Sequence, residues 1–202
     1  MPKFLTVAAV LMIVTPALAA ETGVTTDATK VQAGTFEVEP SHTQVLFSVN
    51  HFGFTTYTGQ FTKSSGTLVL DPAKPDASKL DVTVDVGSVV TPSDKLTGEL
   101  KSDAWLDSTK FPAITFKSTK VVKTGADTAK VTGDLTLHGV TKTETMTVKF
   151  NGAGPNPLSK KYTAGFEMSG KIKRSDFGVK TYVPLIGDEV TLTIAGAFEK
   201  QG

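Results

Sequence analysis

From Phe36 onward, apolar and polar residues alternate along the chain, the period of a strand whose two faces meet different surroundings. Val45, Phe47 and Val49 form one such run, and Leu80, Val82, Val84 and Val86 form another around Asp81, Thr83 and Asp85. Val131, Leu135 and Leu137 interleave with Thr132, Asp134 and Thr136, and Met146, Val148 and Phe150 interleave with Thr145, Thr147 and Lys149. The last run places Val190, Leu192 and Ile194 around Thr191 and Thr193. All are rich in residues that fit a pleated, half-buried surface. Turn signals separate them at hairpin spacing: Asp71-Pro72, Gly125-Ala126-Asp127, His138-Gly139, Asn151-Gly152 with Pro155 and Pro157, and Gly187-Asp188. The pattern predicts an all-β fold of about eight to ten antiparallel strands joined mostly by short connections.

One stretch departs from this rhythm. Between Ser93 and Leu106, the residues Leu96, Leu100 and Trp105 recur at helical spacing behind a cap at Thr91 or Ser93. A single short helix in a crossover, lying across one end of the sheet, is the expectation. Alternation with one apolar face suits a sandwich and a barrel equally, and it does not reveal whether a barrel of about eight strands is filled or hollow.

The first residues follow a different logic. Lys3, the apolar stretch from Phe4 to Val14 and the small-x-small site Ala17-Leu18-Ala19 read as a secretory signal peptide over residues 1–19. The stretch is shorter than the about 20 residues a spanning helix needs, and Pro16 interrupts its extension. Residues 20–34 are rich in Thr, Ala and Gly and are expected to be flexible. That leaves residues 35–202 as one domain, with the periplasm as its destination and secretion as the alternative.

Composition narrows the chemistry. The chain has no cysteine, so an exported fold must be held by apolar burial, and thiol redox or Cys-ligated metal functions are excluded. Of 21 basic and 20 acidic residues only Lys3 belongs to the leader, so the remaining charges balance, which argues against nucleic acid or an anionic membrane surface as the main partner. His42, His51 and His138 are the three histidines. No G-x-S-x-G elbow accompanies them, nor any H-x-H, H-x-x-x-H or H-E-x-x-H spacing, so no catalytic residue, metal ligand or cofactor is assigned. Arg174 is the one arginine. Either it pairs with Asp176 and ties down the loop after the strand that ends at Ile172, or it meets a ligand head group at a pocket mouth. The apolar residues pose the same choice between core and pocket.

At this point the chain resembles a known family. The segment His42-Thr43-Gln44-Val45-Leu46-Phe47-Ser48-Val49-Asn50-His51-Phe52-Gly53 is similar to the H-S-x-V-x-F-x-V-x-H-x-G opening of the YceI family, and Gly59-Gln60-Phe61 to the G-x-F that follows it. Further matches are Phe111 to Thr119, Gly133 to Lys142, and Arg174-Ser175-Asp176-Phe177-Gly178, in the family's order. Two departures stand out: Thr43 where the family prefers Ser, and Trp105-Leu106 where it usually shows a Phe-Phe pair at one pocket wall.

The resemblance implies a lipocalin-like antiparallel barrel, exported, whose hollow interior holds a polyisoprenoid such as a quinone or prenyl lipid, or a fatty-acid-type amphiphile. On that implication Phe47, Val49, Phe54, Val84, Leu137, Met146, Val148, Phe150, Phe166 and Met168 belong to the lumen wall, while His51 and Arg174 orient the polar end of the ligand. The partner is then an apolar lipid, with transient membrane contact and homodimerisation through strand edges or barrel mouths as further expectations. Two other readings stay open: an enzyme acting on quinone or isoprenoid-like substrates, and a ligand-free β interaction module.

Overall fold

A computed structural model describes residues 23–202, so the signal-peptide reading of residues 1–19 lies outside the described residues. Eleven strand segments carry the chain: β1 (Gly34–Val38), β2 (Gln44–His51), β3 (Thr55–Phe61), β4 (Ser64–Leu70), β5 (Lys79–Asp85), β6 (Val89–Val90), β7 (Ala113–Lys123), β8 (Thr128–Leu137), β9 (Val140–Pro155), β10 (Tyr162–Lys173) and β11 (Ile186–Lys200). Every pairing is antiparallel, and the order β1-β4-β5-β7-β8-β9-β10-β11 closes on itself where β1 also pairs with β11. The three remaining segments are continuations. β2 follows β1 and takes the other half of β11, β3 pairs with β2, and β6 pairs with β3. The eleven segments therefore make an eight-stranded, closed, up-and-down barrel, an architecture that satisfies backbone groups around the ring and removes most sheet edges.

The connections show why the chain turns where it does. His138 and Gly139 join β8 to β9 at φ of +52° and +74°, and the two-residue loop with both positions left-handed matches the twist of a tight hairpin. Gly139 is needed twice over, since a Cβ there would also lie 2.5 Å from the Phe111 ring.

The helix is shorter than its spacing predicts. It spans Asp94–Lys101, opened by Ser93, whose hydroxyl accepts from the Leu96 amide at 3.3 Å. At the other end the Ser102 hydroxyl donates to the Glu99 carbonyl at 2.7 Å while its backbone leaves helical space. Trp105 thus belongs to the turns that follow the helix, not to the helix itself.

All five alternating runs turn their apolar residues inward, in the faces the pattern assigns. The core is uneven. Phe36, Val86, Val89 and Phe177 are sealed, whereas Val45, Phe47, Val49, Val82, Val190 and Leu192 face the interior yet are only half-buried. An inward apolar side chain that keeps accessible surface borders empty space, because close packing would have covered it.

The N-terminal segment has more structure than its composition promises. Thr25 and Ala153 exchange backbone hydrogen bonds of 2.8 and 2.9 Å, Asp27 caps a 3-10 turn at Ala28–Lys30, and Val31 is buried in the main apolar cluster. Within residues 25–31 two backbone bonds thus tie the chain to β9 and Val31 joins the core.

Candidate functional site

The barrel interior is divided into two neighbouring chambers. The larger lies toward the end covered by α1 (Asp94–Lys101) and has an empty volume of about 1450 Å³ counting the space at its mouth. The smaller, about 960 Å³ on the same measure, lies toward the opposite end, where residues 28–31 of the N-terminal segment and the turns near Asp71 and Ala126 enclose it. Leu80, Met168 and Phe198 border both.

What keeps the larger chamber open can be traced to glycine. Phe47 on β2 stands directly opposite Gly59 on β3, and a Cβ at Gly59 would fall 2.4 Å from the tip of the Phe47 ring. Likewise a Cβ at Gly170 would fall 2.2 Å from the Met146 sulfur. The missing side chains are slots into which a large neighbour lies flat along the wall instead of projecting into the lumen.

The lining of this chamber is almost wholly apolar. Thr43 and Ser64 supply hydroxyls, and Arg174 is its one charged residue. Arg174 is buried, and its fork is spent on the protein's own backbone: Nε donates to Gly187 O at 2.9 Å, Nη1 to Val179 O at 3.1 Å and Nη2 to Ile186 O at 2.8 Å. Its guanidinium also lies 5.4 Å from the Trp105 ring centroid, within cation–π range. The geometry is that of a clamp on the loop between β10 and β11 that also presents a face to the chamber.

The expected partner of this arginine is corrected. Asp176 forms no ion pair with it; the neighbouring carboxylate is Asp188, which accepts from the Ser175 hydroxyl at 2.7 Å and the Ser175 amide at 2.9 Å. Burial pushes the Asp188 carboxyl up, but the Ser175 hydrogen bonds and the nearby Arg174 and Lys173 charges outweigh it and hold the group below its ordinary value. Burial pulls Arg174 down, and Asp188 opposes that shift.

The sequence candidates divide cleanly. Phe47, Val49, Val84, Leu137, Met146 and Arg174 line the larger chamber, Val148, Phe150 and Phe166 line the smaller, and Met168 lines both. His51 and Phe54 line neither. Strand alternation holds only as far as the last rung, and here the chain turns through Phe52 (φ +55°) and Gly53 (φ +74°). Phe54 is left 87% exposed at the hairpin tip, and His51 rests against Phe52 and Tyr57 at centroid distances of 4.5 and 5.8 Å. Val179 and Ile186 line the larger chamber without having been candidates: Val179 belongs to an irregular loop where periodicity carries no signal, and Ile186 opens β11 ahead of the irregularity that separates it from the alternating run at Val190. Trp105 and Leu106 also border it, at the very pair where the sequence departs from the YceI pattern.

The histidines lie apart in separate settings. His42 is exposed and its Nδ1 meets Glu39 Oε2 at 2.5 Å, while His138 Nδ1 is 3.2 Å from the Phe177 carbonyl and its ring lies against Phe111. Among the described residues no group of three or more His, Cys, Asp or Glu side chains is placed to hold a metal ion.

Comparison with known proteins places this geometry. The YceI-like domain model matches residues 36–198. The chain is 41% identical over 157 residues to Protein YceI of Shigella flexneri, covering 78% of this chain and 81% of the relative. It is also 41% identical over 142 residues to a UPF0312 protein of Pseudomonas savastanoi pv. phaseolicola, covering 70% and 73%. Among solved structures, BcnA of Burkholderia cenocepacia aligns with a TM-score of 0.72 at 26% identity, over 79% of this chain and 98% of that one. A polyisoprenoid binding domain from Saccharophagus degradans, implicated in plant cell wall breakdown, shares the fold with a TM-score of 0.63 at 17% identity, over 84% of this chain and 100% of that one.

Two outcomes follow from the clamp. Arg174→Met should lower unfolding stability by about 3–5 kcal/mol, because three loop carbonyls lose their donor, and Arg174→Lys should recover only part of this since an ammonium cannot span the fork. Urea denaturation at constant m measures both. Asp188 has its folded pKa depressed, so its contribution is fully present above its unfolded value of about 3.9 and is lost as pH falls below that. The urea midpoint of the wild type should therefore decline in this acid range, and Asp188→Asn should make the decline shallower; an unchanged acid limb would contradict the assignment.

Proposed function

The chain belongs to the YceI family, and from that premise we propose that it binds a long apolar isoprenoid, or a similar amphiphilic lipid, inside its barrel and performs no chemistry on it. The observation that carries this reading is the set of inward apolar side chains, Phe47, Val49, Val190 and Leu192 among them, that remain half-buried around unfilled space. A structural module with no guest would gain stability by closing that space, since each void forfeits contacts at its lining.

Energetics favours a long tail over a strong head-group contact. Burying one methylene is worth about 0.8 kcal/mol, so a five-carbon prenyl unit contributes on the order of 4 kcal/mol before the costs of association. The net figure at drug-like efficiency is about 1.5 kcal/mol per unit. Several units then outweigh any single polar contact that Arg174, Thr43 or Ser64 supplies, and the apolar wall of the larger chamber is there to receive them. The fold kinship with a polyisoprenoid binding domain supports the same class of ligand.

An enzymatic reading would require an acid, base or nucleophile facing the substrate. The larger chamber offers two hydroxyls and an arginine already committed to three carbonyls, and the acids and lysines that border the smaller one, Asp71, Asp127, Lys79 and Lys123, lie at its turn end rather than in the apolar wall. The leader-like residues 1–19 support export, and a periplasmic carrier or store of membrane lipid is the corresponding role.

The test is native mass spectrometry of the purified protein, with organic extraction to identify what is released. One prenyl-type lipid per barrel is the expected result. Leu192→Trp, which fills the chamber without adding charge, should leave stability unchanged or raised and reduce retained lipid at least tenfold. A bare protein mass together with no uptake of added prenyl lipid would refute the proposal, as would full retention in the Leu192→Trp variant.

A further inference from the structure

The end of the barrel that carries α1 also exposes apolar side chains on two loops of low charge. The turn between β2 and β3 exposes Phe52 (44%) and Phe54 (87%), and the loop between β10 and β11 exposes Tyr182 (61%) and Leu185 (61%). The loops are joined, since the Phe52 amide donates to the Leu185 carbonyl at 3.0 Å. They are also continuous with the chamber. The Tyr182 ring stands 6.2 Å from Trp105, which lines the larger chamber, and Leu185 directly precedes the lining residue Ile186.

Their composition is unlike that of the rest of the chain. Residues 51–58 and 179–186 hold one charged side chain, Lys180, in a protein that is 20% charged, and threonines and tyrosines supply the polar groups instead. At the other end of the barrel Leu158 is as exposed, at 88%, but its neighbours in the chain are Asn156, Ser159, Lys160 and Lys161.

We propose that these two loops dock the barrel on a lipid bilayer, with Phe54 and Leu185 entering the boundary between headgroups and acyl chains and the larger chamber facing the surface. Aromatic and aliphatic side chains on these loops lose little on entering that zone, where Lys180 is the one ammonium of residues 51–58 and 179–186 and its long stem lets the charge stay among the headgroups. A protein partner would instead be expected to use a patch with a desolvated centre and a polar rim, whereas Phe54 projects with almost its whole side chain free. The proposal rests on the lipid-binding reading for its purpose. An isoprenoid has negligible free concentration in water, so the mouth that loads it has to meet the membrane that stores it.

Vesicle flotation with sonicated phosphatidylethanolamine and phosphatidylglycerol tests the surface, comparing wild type, the double variant Phe54→Glu/Leu185→Glu and the control Leu158→Glu. Wild type and control should float, and the double variant should float at least fivefold less and take up a prenylated quinone from vesicles correspondingly more slowly. Farnesol binding without vesicles, followed by Trp105 fluorescence, should stay within twofold in all three, because none of the altered residues lines a chamber. Should wild type float but take up no farnesol, the docking surface stands and the lipid-binding reading falls. The docking proposal is overturned by wild type that does not float, by a double variant that floats as well as wild type, or by an equal loss in the control. It is equally overturned if wild type forms a dimer that the double variant abolishes, since the loops would then bind a second copy of the chain.

Discussion

The molecule depends on the seam where its first strand, β1 continued by β2, meets β11. Three rungs from β1, Phe36 to Lys200, Glu37 to Glu199 and Val38 to Phe198, and seven from β2, between Gln44 and His51, turn an eight-stranded ribbon into a tube. Without this seam the inward apolar faces would lie on an open sheet in water. With it they are enclosed around an interior that is only partly filled. The seam has its own difficulty, for Glu37 and Glu199 face each other as like charges, which is unfavourable for directly opposed residues. Lys161 answers it with a 2.8 Å contact to Glu199, whose carboxyl is held below its ordinary range first by that hydrogen bond. Beneath the seam Phe36 is wholly buried, so the closure is anchored from inside as well.

A hollow barrel has to find its stability at its periphery. The sealed residues here are Phe36 at the seam, Val86 and Val89 beside the crossover, and Phe177 in the turn after β10. The lumen wall between them remains partly accessible, and the glycines at 59 and 170 let Phe47 and Met146 lie flat along it. Arg174 extends the same economy to the loop beyond β10: one planar cation fastens three carbonyls and presses against Trp105, so the mouth of the larger chamber is built on a fixed frame. Shape is thus maintained by hydrogen bonding around the opening, and capacity by what the wall omits.

How much of this was legible from residues alone depended on whether regular backbone carried the information. The inward faces of β5, β8, β9 and β11 could be read directly, because alternation with a period of two leaves no other choice once one face is apolar. Phe54 lies outside the lumen because the parity does not carry past the point where Phe52 and Gly53 adopt positive φ, while His51, expected at the rim on the family resemblance, ends β2 beside Phe52 and Tyr57. The helix lost its last turn to Ser102, a local capping effect that apolar spacing does not register. Asp188 replaced Asp176 beside Arg174 because nearness in sequence is a poor guide once a strand begins between the two loops. Val179 and Val31 carried no signal, since loops position side chains by tertiary contact, and there periodicity is silent. The YceI motifs conveyed what composition could not, namely that the enclosed face surrounds a cavity.

The central claim is that the tube stays open for a guest, and the most direct measurement is a crystal structure of the lipid-stripped protein reloaded with a bromine-tagged prenyl alcohol. The account predicts an anomalous bromine peak within the barrel, bordered by residues such as Phe47 and Leu192, with the chain running past Phe198 toward the second chamber. A lumen collapsed onto its own side chains, with bromine found only on the outer surface, would contradict it.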